Sequence, residues 1–338
     1  MRARAFLAAL GILSLPLTSH SASVLARFER SEPHMGTTFR IVLYAPDPPH
    51  ADRAFHRAFE RIAALDAALS DYRDFSELSR ITRDAVDAPA PISDDLFNVL
   101  SASQRLAHDS RGAFDITIGS LSRLWRRARR QVELPSAADL AAARAVTGYR
   151  LITLDATRKT VRFARSGIRL DAGGIAKGYA ADQALLEIAA AGLPQALVAA
   201  GGDLALGQPP PGRVGWEVTL AGLDDDRPAT LRPMVVSRCG VSTSGDAEQW
   251  VEIGGVRYSH IIDPRTGIAL TGHRSVTVIA GDATSSDMLA TALSVLNSDQ
   301  GARVIAHYRG AAALVGDRSA HGDRWTQTRE WSVLTGRK

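Results

Sequence analysis

Two short runs carry residue types that could manage phosphate charge. In Leu170-Asp171-Ala172-Gly173-Gly174-Ile175-Ala176-Lys177-Gly178-Tyr179-Ala180, the pattern predicts a strand, a glycine turn and then a helix. Glycines let the backbone bend tightly and approach a ligand, and the first N–H groups of a helix, with its dipole, favour an anion. Asp171 and Lys177 flank this turn with opposite charges. In Asp287-Met288-Leu289-Ala290-Thr291, a carboxylate and a hydroxyl four residues apart share one helix face, read here as the N-terminal turn. That pair suits a hard cation such as magnesium, which takes one or two carboxylates together with neutral and phosphate oxygens. The plain alternatives are chain reversal at the glycines, whose spacing is neither G-x-G-x-x-G nor a P-loop, and a helix-start preference for Asp287 with a core hydroxyl at Thr291.

Three other runs bear reactive or ring-binding types. His260 stands on a short apolar strand before the Asp263-Pro264 turn, where an imidazole could act as general base or phosphate contact, or be a satisfied, partly buried histidine. Val241-Ser242-Thr243-Ser244-Gly245-Asp246 reads as a hydroxyl-rich turn that could bind phosphate or start a helix. Without G-x-S-x-G it does not make a serine triad with His260 and Asp263. Ala113-Phe114-Asp115 places an aromatic beside a carboxylate, which suits a ring with polar edges as well as ordinary core packing. No zinc spacing is present.

The elements that must position these residues follow from hydrophobic period. Strands are expected at 39–44, 196–199, 216–220, 234–236 and 275–280, with a pair of short strands across 150–163. Helices are expected at 51–69, at 94–110, after the Gly-Gly turn, and finally at 287–296. Strands and helices interleave without a strict βαβ rhythm, which gives an α+β class with a mixed sheet and helices packed on it.

Composition narrows the setting. Residues 1–26 carry Arg2 and Arg4, then an apolar run from Ala5 to Leu17, then small residues, the pattern of a secretory leader. The remainder, 27–338, reads as one exported domain, placed in the periplasm and either soluble or peripheral to a membrane. Without the leader arginines the chain has 38 basic against 36 acidic residues, so the pI near 9.5 does not indicate nucleic acid. Cys239 is the single cysteine, which excludes an intramolecular disulfide. Arg123, Arg126, Arg127, Arg129 and Arg130 form a basic run, read as a solvated face or as a contact for an acidic partner or phospholipid.

Taken in order, the chain resembles the ApbE family of FAD:protein FMN transferases. The likeness runs through Met35-Gly36-Thr37, Asp71-Tyr72, Ser76-Glu77-Leu78-Ser79-Arg80-Ile81, Phe114 to Gly119, the Gly-Gly unit, Gly201-Gly202-Asp203, Thr243 to Asp246, Ser259 to Gly267 and Asp287 to Thr291. It departs at Ala172, Ser286 and Thr82, where leucine, alanine and asparagine are usual. The resemblance implies that FMN is transferred from FAD, with magnesium, to a Thr or Ser hydroxyl of an acceptor flavoprotein of membrane electron transport, with AMP released. It implies FAD contacts at Met35, Tyr72, Ala113, Phe114, Asp115, Asp171, Lys177 and the Ile261-Ile262 backbone. The metal would lie between Asp287, Thr291 and the Gly174 carbonyl, and His260 would assist the incoming hydroxyl. The same groups would also serve a magnesium-dependent FAD pyrophosphatase giving FMN and AMP, or a flavin-binding carrier without catalysis.

Overall fold

The structure, a computed structural model, describes residues 25–220, 222–223, 233–245, 249–319 and 322–335. The leader up to residue 24 and Asp246 lie outside the described residues. In chain order, β1 (Ala26–His34) and β2 (Thr37–Ala45) lead to α1 (Pro48–Leu69), α2 (Glu77–Asp84), β3 (Ala90–Pro91), α3 (Asp94–Asp109), α4 (Gly119–Gln131), α5 (Ala137–Ala145), β4 (Ile152–Asp155) and β5 (Thr160–Phe163). Then come α6 (Ala176–Ala190), β6 (Ala196–Ala200), β7 (Asp203–Leu206), β8 (Trp216–Val218), β9 (Met234–Val236), β10 (Cys239–Gly245), β11 (Trp250–Ile253), β12 (Val256–Asp263), β13 (Ile268–Thr271) and β14 (Arg274–Ala280). After these follow α7 (Ala283–Val295), α8 (Ser298–Ile305), β15 (Ala312–Ser319), β16 (Gly322–Gln327) and α9 (Arg329–Thr335).

An eight-stranded sheet in the order β1-β2-β6-β7-β10-β14-β15-β16 is the frame. Each neighbouring pair in it is antiparallel, and the strands stand side by side in the order in which the chain makes them. Strand alternation sorts the side chains to two faces. Phe39, Ile41 and Leu43 of β2 point into a large core with α1, α3, α6 and α7, while Val42 joins the other face, covered by β8, β9 and Trp331 of α9. A third cluster packs Leu121, Trp125 and Ala128 of α4 against Ile262 and Ala269 of the small β11-β12-β13 sheet. The α+β class expected from the sequence is the class observed. Among the described residues no helix is long and apolar enough to cross a membrane.

Three local expectations are corrected. The helix predicted from 287 starts at Ala283, because the Asp282 carboxylate caps the Ser285 N–H at 2.6 Å; Asp287 and Thr291 therefore lie in its middle turns, and α8 and α9 come after it. The strand predicted before the glycine turn is a single parallel bridge between Arg169 and Ile118, extended by the Asp171 N–H donating to the Ile116 carbonyl at 2.8 Å. The hydroxyl-rich run through Gly245 is not a turn but β10, paired on both sides, where its alternation buries Ser242 between sheet and helix.

Candidate active site

Three insertions hang from the frame strands and meet over one cleft of about 800 Å³. The insertion between β2 and β6 brings Tyr72, Ala113, Phe114, Asp115, Asp171, Gly174 and Lys177; that between β10 and β14 brings His260, Ile261 and Ile262; that between β14 and β15 brings Asp287 and Thr291. Met35 enters from the two-residue β1–β2 turn, where its φ of 49° and that of Gly36, 72°, match the hairpin turns with left-handed central residues. Each site residue named from the sequence lines this cleft.

At one end α6 and α7 cross in close contact. A Cβ on Gly178 would fall 2.3 Å from the Ala283 carbonyl oxygen and 2.9 Å from Asp287 Cβ, so glycine is what lets the two helices approach. The Gly178 N–H donates to Asp287 Oδ2 at 3.1 Å, and Lys177 Nζ stands 2.6 Å from Asp203 Oδ2 and 3.8 Å from Asp287 Oδ2. Several of the helix amides expected to face a phosphate are taken up within the protein. The Gly173 N–H is held by Asp171 Oδ1 at 2.8 Å and the Ala176 N–H by the Ala172 carbonyl, so the anion at the α6 N-terminus is Asp287 itself.

Burial sets the charges of this corner. Asp287 is pushed up to about 7 by desolvation and then by the Asp203 carboxylate, against the pull of Lys177. Lys177 is raised although burial alone would lower it, because Asp287 and Asp203 together outweigh desolvation. Asp182, which accepts from the Ala283 and Thr284 amides at the start of α7, is raised to about 6 by burial. A Cβ on Gly174 would lie 3.0 Å from Thr291 Oγ1 and 3.2 Å from a Phe114 ring carbon, so the Gly174 backbone and the Thr291 hydroxyl are neighbours. Among the described residues no group of three or more His, Cys, Asp or Glu could hold a metal. One buried carboxylate beside neutral oxygens remains, a set that fits a hard cation completed by phosphate oxygens.

Lys177 is 29% exposed and ion-paired to two buried acids. Lys177→Met should therefore lower stability by about 3 kcal/mol, the usual cost of leaving buried charges unpaired. Adding Asp203→Asn should recover part of it. Thermal melts at pH 8 check this, and an unchanged melting temperature in Lys177→Met would refute it.

The remaining residues divide by role. Asp115 is buried and accepts from the Thr117 N–H and hydroxyl and from the Tyr149 N–H, at 2.9, 2.6 and 2.6 Å, so its carboxylate mainly shapes the loop that presents Ala113 and Phe114. Burial still raises its pKa. His260 Nδ1 lies 3.3 Å from the Gln249 carbonyl oxygen, which can only accept. Its strand is steadied by α4, whose Trp125 Nε1 donates to the Gly267 carbonyl at 2.9 Å and whose ring packs on Tyr258.

Sequence reasoning missed Arg126 and gave Asp203 no role. The basic run is not one solvated face: Arg123, Arg127 and Arg130 are exposed, but Arg126 and Arg129 line the cleft. Arg126 binds both Asp71 and Asp171 and lies over the Tyr72 ring. The spacing of three between 126 and 129 gave no sign of this, since 123–126 and 127–130 share it.

Residues 35–315 match the sequence model described as ApbE family. The chain is 32% identical to the FAD:protein FMN transferase of Treponema pallidum, covering 85% of this chain and 83% of that protein, and 31% identical to that of Salmonella typhimurium, covering 80% and 79%. Its fold superposes on the flavin transferase ApbE from Vibrio cholerae with a TM-score of 0.82 at 27% identity, covering 92% of this chain and 100% of that one. For the Pseudomonas stutzeri flavinyl transferase ApbE the TM-score is 0.81 at 30% identity, with coverage of 93% and 98%. With the match running from the Met35 turn through Asp287 and Thr291 into β15, the chain belongs to the ApbE family.

Proposed function

We propose that this chain is an exported FAD:protein FMN transferase that uses magnesium, esterifies a Thr or Ser hydroxyl of a partner flavoprotein and releases AMP. The observation that carries the reading is the meeting, in one cleft, of a buried Lys177–Asp203–Asp287 corner, an imidazole on β12 and an aromatic end at Tyr72 and Phe114. The cleft volume is in the range of sites that enclose a cofactor, roughly 300–1,000 Å³. The names carried by the relatives, and the leader pattern of residues 1–26, support the same reading.

In this mechanism FAD lies along the cleft with its pyrophosphate at the Lys177 corner. His260 Nε2 takes the proton of the acceptor hydroxyl as that oxygen attacks the FMN-side phosphorus. The bond from this phosphorus to the bridging oxygen breaks, and AMP leaves with the bridging oxygen and the electron pair. Lys177 opposes the negative charge of the pyrophosphate, held in place by Asp203. Asp287, Thr291 and the Gly174 carbonyl would hold magnesium, which when bound supplies positive charge to phosphate oxygens. The ring-bearing end excludes water and fixes the flavin. We assign the acceptor to exported flavoproteins of membrane electron transport carrying a Ser/Thr motif.

The test incubates the purified chain with FAD, Mg²⁺ and such an acceptor, followed by a denaturing gel viewed under ultraviolet light. A fluorescent acceptor band is expected; free FMN with no band would mean a pyrophosphatase, and unchanged FAD a carrier. FAD should serve as donor and FMN should not, because FMN lacks the leaving AMP and the bridging oxygen. Flavinylation from FMN alone at a comparable rate would overturn the mechanism.

A further inference from the structure

We propose that Arg126 is a positioning residue for ring binding: it holds Tyr72 as a flat platform on which a planar aromatic ring of the dinucleotide stacks. The role rests on the reading that FAD occupies this cleft. Tyr72 is 77% exposed, an unusual state for a ring that lines a cleft, and the Arg126 guanidinium carbon lies 4.4 Å from its centroid. The loop bearing Tyr72 is short, between α1 and α2, and Arg126 ties it to the body of the protein through Asp71. Its other arm, Nη2, donates to Asp171 Oδ2 at 2.9 Å, just before the glycine turn.

The alternative use of a cleft arginine is to grip phosphate, and its partners decide against it. Two carboxylates already engage the guanidinium, so its N–H donors are committed to Asp71 and Asp171 rather than open to a phosphate. Asp71 is itself raised by burial and by Asp171, even with Arg126 beside it. What Arg126 still offers is its plane, and that plane faces Tyr72. Trp125, the preceding residue on α4, is locked in the cluster under β12, so the guanidinium projects from a fixed helix. A lysine would retain the charge and lose the flat face.

The test uses the full chain with FAD, FMN and AMP as separate probes in calorimetric titration. Arg126→Lys should weaken FAD binding by about 3- to 30-fold, the range for a stacked cation, and leave kcat at saturating FAD within about twofold. In a Tyr72→Ala background Arg126→Lys should add nothing. Weaker FMN with unchanged AMP would place isoalloxazine on the platform, and the reverse would place adenine; either supports the role. Unchanged FAD affinity in Arg126→Lys, or an equal further loss in the Tyr72→Ala background, would overturn it. If Arg126→Lys does not fold, the exposed position decides: Tyr72→Phe should bind FAD as the unaltered chain does and Tyr72→Ala should not, and equal affinities sink the proposal. An unaltered chain that binds none of the three probes would overturn the dinucleotide reading itself, and this role with it.

Discussion

Asp287→Ala should reduce flavin transfer by about 10³-fold or more, since the loss of metal-supplied charge stabilisation is worth several kcal/mol and each 1.36 kcal/mol is tenfold. The fold should persist. Asp287 is a buried acid raised from 3.8 to about 7, so the native state binds a proton that the unfolded chain releases. For an acid shifted upward, stability falls as pH rises between those two values, and the loss is complete above the upper one. Asp287→Asn keeps an acceptor for the Gly178 N–H and removes the titration. In metal-free buffer its melting temperature should therefore gain on that of the unaltered protein as pH goes from about 4 to about 8. Lost transfer together with that widening gap is the expected pair of results. Full magnesium-dependent activity in Asp287→Ala, or a gap independent of pH, would overturn the assignment of this carboxylate.

His260→Ala should slow transfer by about 10²–10⁴-fold, the range for removal of a general base, with FAD affinity nearly unchanged. The separation is expected because His260 sits on β12, on an insertion distinct from the one that brings both Lys177 and Tyr72, so its loss leaves those two FAD-binding positions intact. Transfer measured at saturating FAD, alongside direct FAD titration, distinguishes a base from a ligand contact. Normal turnover at saturation with weakened FAD binding would make His260 a ligand contact.

What the sequence revealed depended on how local each signal is. The α6 helix, β6 and β12 were legible from apolar period, and the glycine turn and D-x-x-x-T pair were legible as short motifs. Asp287 was placed too near its helix start because Asp282, five residues before the expected first residue, is the cap. The partnership of Lys177 with Asp203 was hidden because it joins the start of α6 to the start of β7, 26 residues apart in the chain. Arg126 was hidden for a related reason: in a run of five arginines nothing local separates the two that face a cleft from the three that face solvent. The edge strand β16 was missed because its polar, half-exposed residues give little apolar alternation, and β15 because its apolar start, Ala312 to Val315, is short and does not alternate.

The sheet order also bears on how the molecule comes together. Three of the seven neighbouring pairs, β1–β2, β6–β7 and β15–β16, meet across two-residue connections, but β2 and β6 pair from Phe39↔Ala200 to Leu43↔Ala196, closing an insertion of about 150 residues, where chain entropy alone opposes contact by roughly 4 kcal/mol. Hairpins such as β1–β2 and β15–β16 need no such closure and can form early. The β2–β6 seam is therefore a late event in refolding. Met35, on the turn that leads into β2, joins Lys177 and Asp203 in the cleft only once that seam has closed, and catalytic competence should trail the recovery of secondary structure.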